Sequence, residues 1–390
     1  MNTSCETSDL LVFSHLRWDS NFTRPRHLLG RYAKHRRVFY FEGPVFGVTD
    51  VPRLHLRETA ENVLVVVPYI PSTLHGMEIE GALKDLVDEL IYEEELTQYT
   101  LLYYNPAALA FTRHLQAQAV IFDKMDHRQS NVQNAIEAEL MRKSDVVFTN
   151  GFSLFEYLKH NHDNIHPIPS CVDFKHFSQG RLDLMEPMDQ IHIPHPRVGY
   201  HGIIDERINF TLLSEMADLK PDYQFVMIGP VMNIDGEKLP QRKNIHFLGK
   251  KDYHSLPLYL AGWDCAIVPF LLNEETQLLN PTKTAEFLAS GTPVVASAIK
   301  DIVSSYAQED LVVIAHTAEE FINSIEMAIS QNSNQEAWIK RVDAYLSKNS
   351  WDQTFLKMAK MEKAIPKKRT FMQPRIHHIT QIHIAASGMI

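Results

Sequence analysis

Asn280-Pro281-Thr282-Lys283-Thr284-Ala285-Glu286-Phe287-Leu288-Ala289-Ser290-Gly291-Thr292-Pro293-Val294-Val295-Ala296 is the stretch from which the rest of the chain is read. It begins as a short helix that stops at Gly291, and Pro293 leads out of the turn into an apolar strand. Lys283 and Glu286 stand three residues apart, so they share one helical face. Upstream, Cys265-Ala266-Ile267-Val268 is a second apolar run of strand length, and Leu311-Val312-Val313-Ile314 follows downstream. Strand, helix and strand therefore alternate here.

The same alternation extends in both directions. Towards the N-terminus come Arg197-Val198-Gly199-Tyr200-His201, Phe225-Val226-Met227-Ile228 and Ile245-His246-Phe247-Leu248. An earlier series comprises Leu10–Phe13, Val38–Phe41, Val63–Val67, Leu101–Tyr104, Ala119–Phe122 and Val146–Phe148. Continuous β-branched and aromatic runs suit strands covered on both faces, hence parallel sheets flanked by helices: an α/β chain. Arg24–Ala33 reads as a helix. So do the stretch carrying Phe321, Ile325, Ala328 and Ile329 and the stretch Trp351–Lys363, with Trp351, Phe355, Met358 and Met361 at helical spacing.

Between the two series the pattern weakens, with Pro187, Pro194 and Pro196. The expected division is a first domain over 1–175, a linker over 176–196 and a second domain over 197–348. A helix over 349–365 and a tail over 366–390, which carries Lys367-Lys368-Arg369, complete it. Two such domains would face one another across a cleft, where ligands are commonly held.

Composition narrows the function classes. Lys and Arg total 38 against 48 Asp and Glu, a formal charge of −10, which speaks against a nucleic-acid binder and its basic surface. Local cationic pockets for a small anion remain compatible with that balance. The 3 cysteines, Cys5, Cys171 and Cys265, form no CxxC pair, which fits a reducing compartment without disulfides. No apolar run is long enough to span a bilayer, and the first residues lack the pattern of a secretory signal, so a cytoplasmic protein is expected. There are 20 histidines but no HExxH and no DxD, so most histidines read as surface or loop residues and no metal is called for.

Candidate chemistry falls at strand ends. After the first strand, Thr23 is placed to cap a helix with Pro25 in its first turn. Arg24 and Arg26 oppose the helix dipole there, so a nearby anion would account for them; a solvated helix start is the plainer reading. Asp123, Asp126 and His127 follow another strand and could touch a hydroxylated acceptor or hold a proton, or simply cap a helix and face solvent. In Gly199–Arg207, Gly202 permits close backbone approach and Arg207 offers a fork for phosphate. Neither GxGxxG nor a P-loop is present. Lys283 and Glu286 are open to two readings: a local salt bridge, or a carboxylate for two sugar hydroxyls beside a lysine for a diphosphate.

The run Asn-Pro-x-Lys-x-x-Glu-Phe-Leu-Ala-x-Gly-x-Pro-Val-Val-Ala resembles the nucleotide-sugar signature of the GT-B glycosyltransferases of the large retaining group, glycosyl transferases group one. Gly199–Arg207, Arg142–Asn150 and Ile168–Asp173 followed by Phe177 are similar to further segments of that group, and the resemblance covers about residues 10–365. It implies two Rossmann-like parallel-sheet domains facing a cleft, with a C-terminal helix at Trp351 crossing back to the first.

It also implies that Glu286 binds the donor ribose, that Arg207 and Lys283 neutralise the diphosphate, and that Gly202 lets the backbone come close. Gly249 in Leu248-Gly249-Lys250 would flank the base. Asp126 and His127 would sit among acceptor-side or catalytic residues, with Trp18, Arg24 and Arg26 on the acceptor side. The catalytic set is then Asp126, His127, Arg207 and Lys283.

The implied reaction moves a sugar from a nucleoside-diphosphate sugar to a hydroxyl on a carbohydrate or lipid-linked acceptor in cell-surface polysaccharide or glycolipid synthesis. It would retain configuration and use neither metal nor cofactor. Trp18 and Lys367–Arg369 suggest weak peripheral contact with the inner membrane face, against the plainer reading of a solvated tail. The sequence departs from the pattern in two places: Leu278 stands where many relatives have a second glutamate, and the Gly-Gly turn after the first strand is missing. A GT-B-like sugar-nucleotide epimerase and a non-catalytic scaffold are the alternatives. The first lacks a clear pair of proton-shuttling carboxylates, and the second has no need of Arg207, Lys283 and Glu286 together.

Overall fold

A strand without a polar side must be covered above and below, and the chain does this twice. The computed structural model describes residues 8–19, 23–126, 131–330 and 335–366 and the backbone of 383–384; for 131–134 and 335 it describes the backbone only. One unit comprises Met1–Asn150, Leu158–Ile168 and Phe355–Ile390, the other Gly151–Tyr157 and Pro169–Thr354.

The first unit contains β1 (Asp9–Phe13), β2 (Val38–Phe41), β3 (Val45–Phe46), β4 (Arg53–Glu58), β5 (Leu64–Ile70), β6 (Tyr99–Tyr103), β7 (Ala119–Lys124), β8 (Val146–Thr149) and β9 (Ile165–Pro167). Its sheet runs β4-β5-β2-β1-β6-β7-β8-β9, and β3 also pairs with β5. The central pairs are parallel, whereas β4 lies antiparallel on β5. β4 alternates buried Leu54 and Leu56 with partly exposed Arg53, His55 and Arg57, as a half-solvated strand does, so a search for continuous apolar runs misses it. The short strands β3 and β9 escape for the same reason.

The second unit contains β10 (Arg197–His201), β11 (Gln224–Ile228), β12 (Ile245–Gly249), β13 (Cys265–Val268), β14 (Val294–Ala296) and β15 (Val313–Ile314). They form an all-parallel sheet in the order β12-β11-β10-β13-β14-β15. This is the doubly wound dinucleotide-fold order, in which the direction of winding reverses between β10 and β13. A last strand, β16 (His383–Ile384), lies parallel to β4.

The helix Trp351–Lys363 has the expected bounds, and the chain re-enters the first unit at Phe355. There the Phe355 ring meets Tyr32 edge-on at 4.9 Å, and Arg36 forms an ion pair with Glu362 at 2.7 Å. The stretch 176–196, expected as a linker, lies wholly in the second unit. Its prolines and weak periodicity hide what fastens it. Buried Gln190 donates to the Tyr259 carbonyl at 2.9 Å and accepts from the Trp263 indole at 2.9 Å. Arg197, 3 % exposed, donates to the Ile193 carbonyl at 2.6 Å and meets Glu186.

Candidate active site

In a doubly wound sheet, ligands bind outside the carboxyl ends of the strands, beside the point where the winding reverses. In the second unit that point is β10 next to β13. His201 ends β10, and the helix Thr282–Ala289 connects β13 to β14 in sequence. Around this edge stand Gly202, Gly229 and Gly249, at the ends of three adjacent strands. The Gly229 N–H donates to the Gly249 carbonyl at 3.0 Å, and the Gly202 N–H donates to the Ile228 carbonyl at 2.9 Å.

Two of these glycines are required by space. At Gly229, φ is +149° and a Cβ would lie 1.7 Å from the Gly202 carbonyl oxygen. At Gly202, φ is +152° and a Cβ would come within 2.7 Å of the Tyr200 hydroxyl. Backbone of this kind leaves a rim without side chains, onto which a ligand can settle closely.

Glu286 lies beside this rim, 9 % exposed. Lys283 Nζ donates to both its oxygens, at 3.1 Å and 2.9 Å. His201 Nε2 approaches Oε2 at 3.1 Å. Burial by itself would push the Glu286 carboxyl up, but Lys283 and then His201 outweigh it and hold it down at about 2. The His201 pKa is lowered, first by burial and then by Lys283, while Glu286 pulls the other way. At neutral pH this leaves an ionised carboxylate, a lysine on its half-exposed side and an uncharged imidazole on its buried side. The carboxylate has the chemistry to accept two hydroxyl protons from a vicinal diol.

Both cations expected to meet a diphosphate already face a carboxylate. Lys283 shares Glu286. Arg207 grips Asp205 through Nε at 2.8 Å and Nη2 at 2.6 Å, with its guanidinium carbon 5.9 Å from the Phe270 ring centre. The Arg207 side chain stays 28 % exposed and the Lys283 side chain 31 %, so each can turn part of its charge outward.

The first-unit expectations need correction. The anions that account for Arg24 and Arg26 belong to the protein itself. Arg24, 3 % exposed, forms a paired contact with fully buried Asp123 at 2.9 Å and 3.0 Å and donates to the Ile168 carbonyl at 2.7 Å. That pair ties the helix Arg24–Tyr32 to β7, so neither Arg24 nor Asp123 is presented to an acceptor. Arg26 pairs with Glu61 at 2.8 Å and keeps its side chain 24 % exposed.

Trp18, 3 % exposed, packs edge-on against Tyr40 at 5.1 Å, so it offers no aromatic surface to a sugar or a membrane. Thr23 stands at the N-cap without a side-chain cap bond. Asp126 is half-buried just past β7. His127, Cys5 and Lys367–Arg369 lie outside the described residues. Among the described residues, neither Cys171 nor Cys265 is in a disulfide, and no group of three His, Cys, Asp or Glu side chains is arranged to hold a metal ion. No described helix is long and apolar enough to cross a membrane.

Residues 195–331, the segment carrying the glycine rim, His201, Lys283 and Glu286, match the family model described as glycosyl transferases group 1. Over that segment the chain is similar to the group 1 glycosyl transferases. A related protein of Bacillus subtilis (strain 168), TuaH, named as a teichuronic acid biosynthesis glycosyltransferase, is 25 % identical over 187 residues. That match covers 44 % of this chain and 44 % of TuaH, so the chain spans under half the length of the curated relative it matches.

Among solved structures, the sucrose-phosphate synthase of Thermosynechococcus elongatus superposes with a TM-score of 0.71 at 14 % identity, over 92 % of this chain and 98 % of that one. Anabaena HepE, solved with UDP and glucose, gives 0.67 at 12 % identity, over 92 % and 100 %. At such identities the likeness shows the fold, which is the GT-B fold of two Rossmann-like parallel-sheet domains.

Within the second unit, sequence reasoning missed His201, Gly229 and Asp205 as parts of one site. Gly229 follows an apolar strand as Gly202 does, and that repeat was the available signal. His201 carried none, since a lone histidine at the end of a strand has no pattern to mark it.

Proposed function

We propose that the protein is a glycosyltransferase that takes a sugar from a nucleoside-diphosphate donor and moves it to a hydroxyl of a carbohydrate or lipid-linked acceptor. The observation that carries this is the buried Glu286 carboxylate, held ionised by Lys283, beside a side-chain-free glycine rim at the carboxyl edge of the second sheet. In this reading Glu286 accepts from the two ribose hydroxyls. Gly202 and Gly229 let the diphosphate lie against the backbone, and Gly249 borders the base.

Lys283 and Arg207 meet the negative charge that develops on the leaving diphosphate; their carboxylate partners fix their positions beforehand, which removes the cost of reorganising them during the reaction. Transfer with retention and without a metal fits this assignment, the departing phosphate taking the acceptor proton. On the acceptor side the reading keeps Arg26 and Asp126. The partial relationship to TuaH supports a cell-surface polysaccharide as the product.

The test is to offer the purified protein UDP-, GDP- and dTDP-sugars with and without EDTA. Melting temperature and nucleotide release are followed. A stabilising shift with one nucleotide family, and slow release of that nucleotide from its sugar in the presence of EDTA, is the expected result. No shift and no release with any donor would overturn the transferase reading, and release abolished by EDTA would overturn metal independence alone.

A further inference from the structure

The Glu286 carboxylate must face the ribose in one orientation to accept from both hydroxyls, and two neighbours bear on it. Lys283 bridges both oxygens from the half-exposed side, with Nζ at 3.1 Å and 2.9 Å. On the inner side stands His201, 2 % exposed, with Nε2 at 3.1 Å from Oε2. That approach is close but not aligned for a strong hydrogen bond, and Nε2 is shielded from solvent with no other polar partner.

The imidazole cannot easily turn away. The Phe177 ring lies nearly parallel to it at 5.9 Å and 13°, the Phe287 ring meets it edge-on at 5.0 Å, and Trp263 closes in at 6.4 Å. Phe287 follows Glu286 directly in sequence, so one helix turn supplies both the carboxylate and a wall of the imidazole's cage. A buried ring nitrogen with a single imperfect partner costs free energy unless that contact improves in the working state.

We propose that His201 is a positioning residue for Glu286, holding Oε2 from behind so that the outward lone pairs of the carboxylate are directed at a ribose 2′,3′-diol. This rests on the ribose role assigned to Glu286 above. Burial keeps the imidazole uncharged at neutral pH, so it orients the carboxylate without cancelling the negative charge that attracts the diol. Its position at the end of β10 ties that orientation to the sheet itself and not to a loop.

The experiment compares UDP and GDP with their 2′,3′-dideoxy forms by calorimetry, for the wild type, His201→Phe and His201→Gln. His201→Phe keeps a ring in the aromatic cage but removes the nitrogen; His201→Gln returns a side-chain amide. The wild type is expected to prefer the ribonucleotide by about tenfold or more. In His201→Phe that preference collapses while the affinity for the dideoxy form is unchanged, and His201→Gln restores part of it. His201→Leu, which is smaller, carries the same comparison if melting shows the phenylalanine variant unfolded. Full ribose preference in a folded variant without the nitrogen overturns the positioning role and leaves the donor reading intact. A wild type that binds neither nucleotide, or binds both forms equally, overturns the ribose assignment of Glu286 and this proposal with it.

Discussion

Glu286 shows how one side chain gains its properties from its surroundings. A buried carboxylate should resist ionisation, yet Lys283 and His201 reverse that and hold it at about 2. Glu286→Ala removes a charged acceptor for two hydroxyls, so nucleotide affinity is expected to fall by roughly 10- to 150-fold, the equivalent of about 1.5–3 kcal/mol. Titration of the variant with the nucleotide that stabilises the wild type checks this, and unchanged affinity would refute the ribose role. Gly229→Ala sets a methyl group 1.7 Å from a carbonyl oxygen, so backbone must move. A loss of about 3 kcal/mol or more in unfolding free energy is expected by denaturant titration. Of these residues, Glu286 was legible because a motif surrounds it. Gly229 was not, because what it needs to avoid, the carbonyl of Gly202, is 27 positions away in the chain and adjacent only across two parallel strands.

At the level of elements, the Arg24–Asp123 pair shows why charge at a helix start misleads. An arginine in the first turn of a helix opposes the dipole, and a bound anion is one explanation. The protein supplies that anion from β7, 99 positions away, and buries both partners. Removing one partner strands the other charge: Arg24→Met is expected to destabilise the first unit by about 3–5 kcal/mol. Arg24→Met with Asp123→Leu is expected to recover most of that, because two well-packed apolar side chains replace the pair. Paired melting curves decide it, and a double variant no better than the single would mean that the Ile168 carbonyl contact carries the stability. Helix existence was legible here from apolar spacing; the role of its polar residues was not, since that depends on which strand end lies beneath it.

For the molecule as a whole, one buried histidine, His201, and three half-buried ones contribute to the response to acid. His166, His176, His201 and His246 all have pKa values lowered from 6.5, in each case first by burial. Unfolded, these residues bind protons more readily than folded, so stability is full above pH 6.5 and falls as pH drops below it. Glu286 acts in a lower window: its contribution is complete above its ordinary 4.5 and is lost as pH falls through about 2. The melting temperature should therefore decline from pH 6.5 downward well before carboxylates titrate, and more gently in His201→Gln. A melting temperature constant from pH 8 to 5 would contradict this.

By itself the sequence determined the alternation of strands and helices, its restart as a second α/β series and the helix Trp351–Lys363; that this helix returns to the first unit was implied by the resemblance alone. Apolar runs and helical spacing are local, and covering both faces of a strand follows from them. Only the tertiary structure decided that β10 and β13 adjoin where the winding reverses, that His201 stands behind Glu286, and that Arg24 and Trp18 turn inward. Those outcomes depend on strand order and on burial between distant positions, and no local pattern records which carboxylate a buried cation will meet.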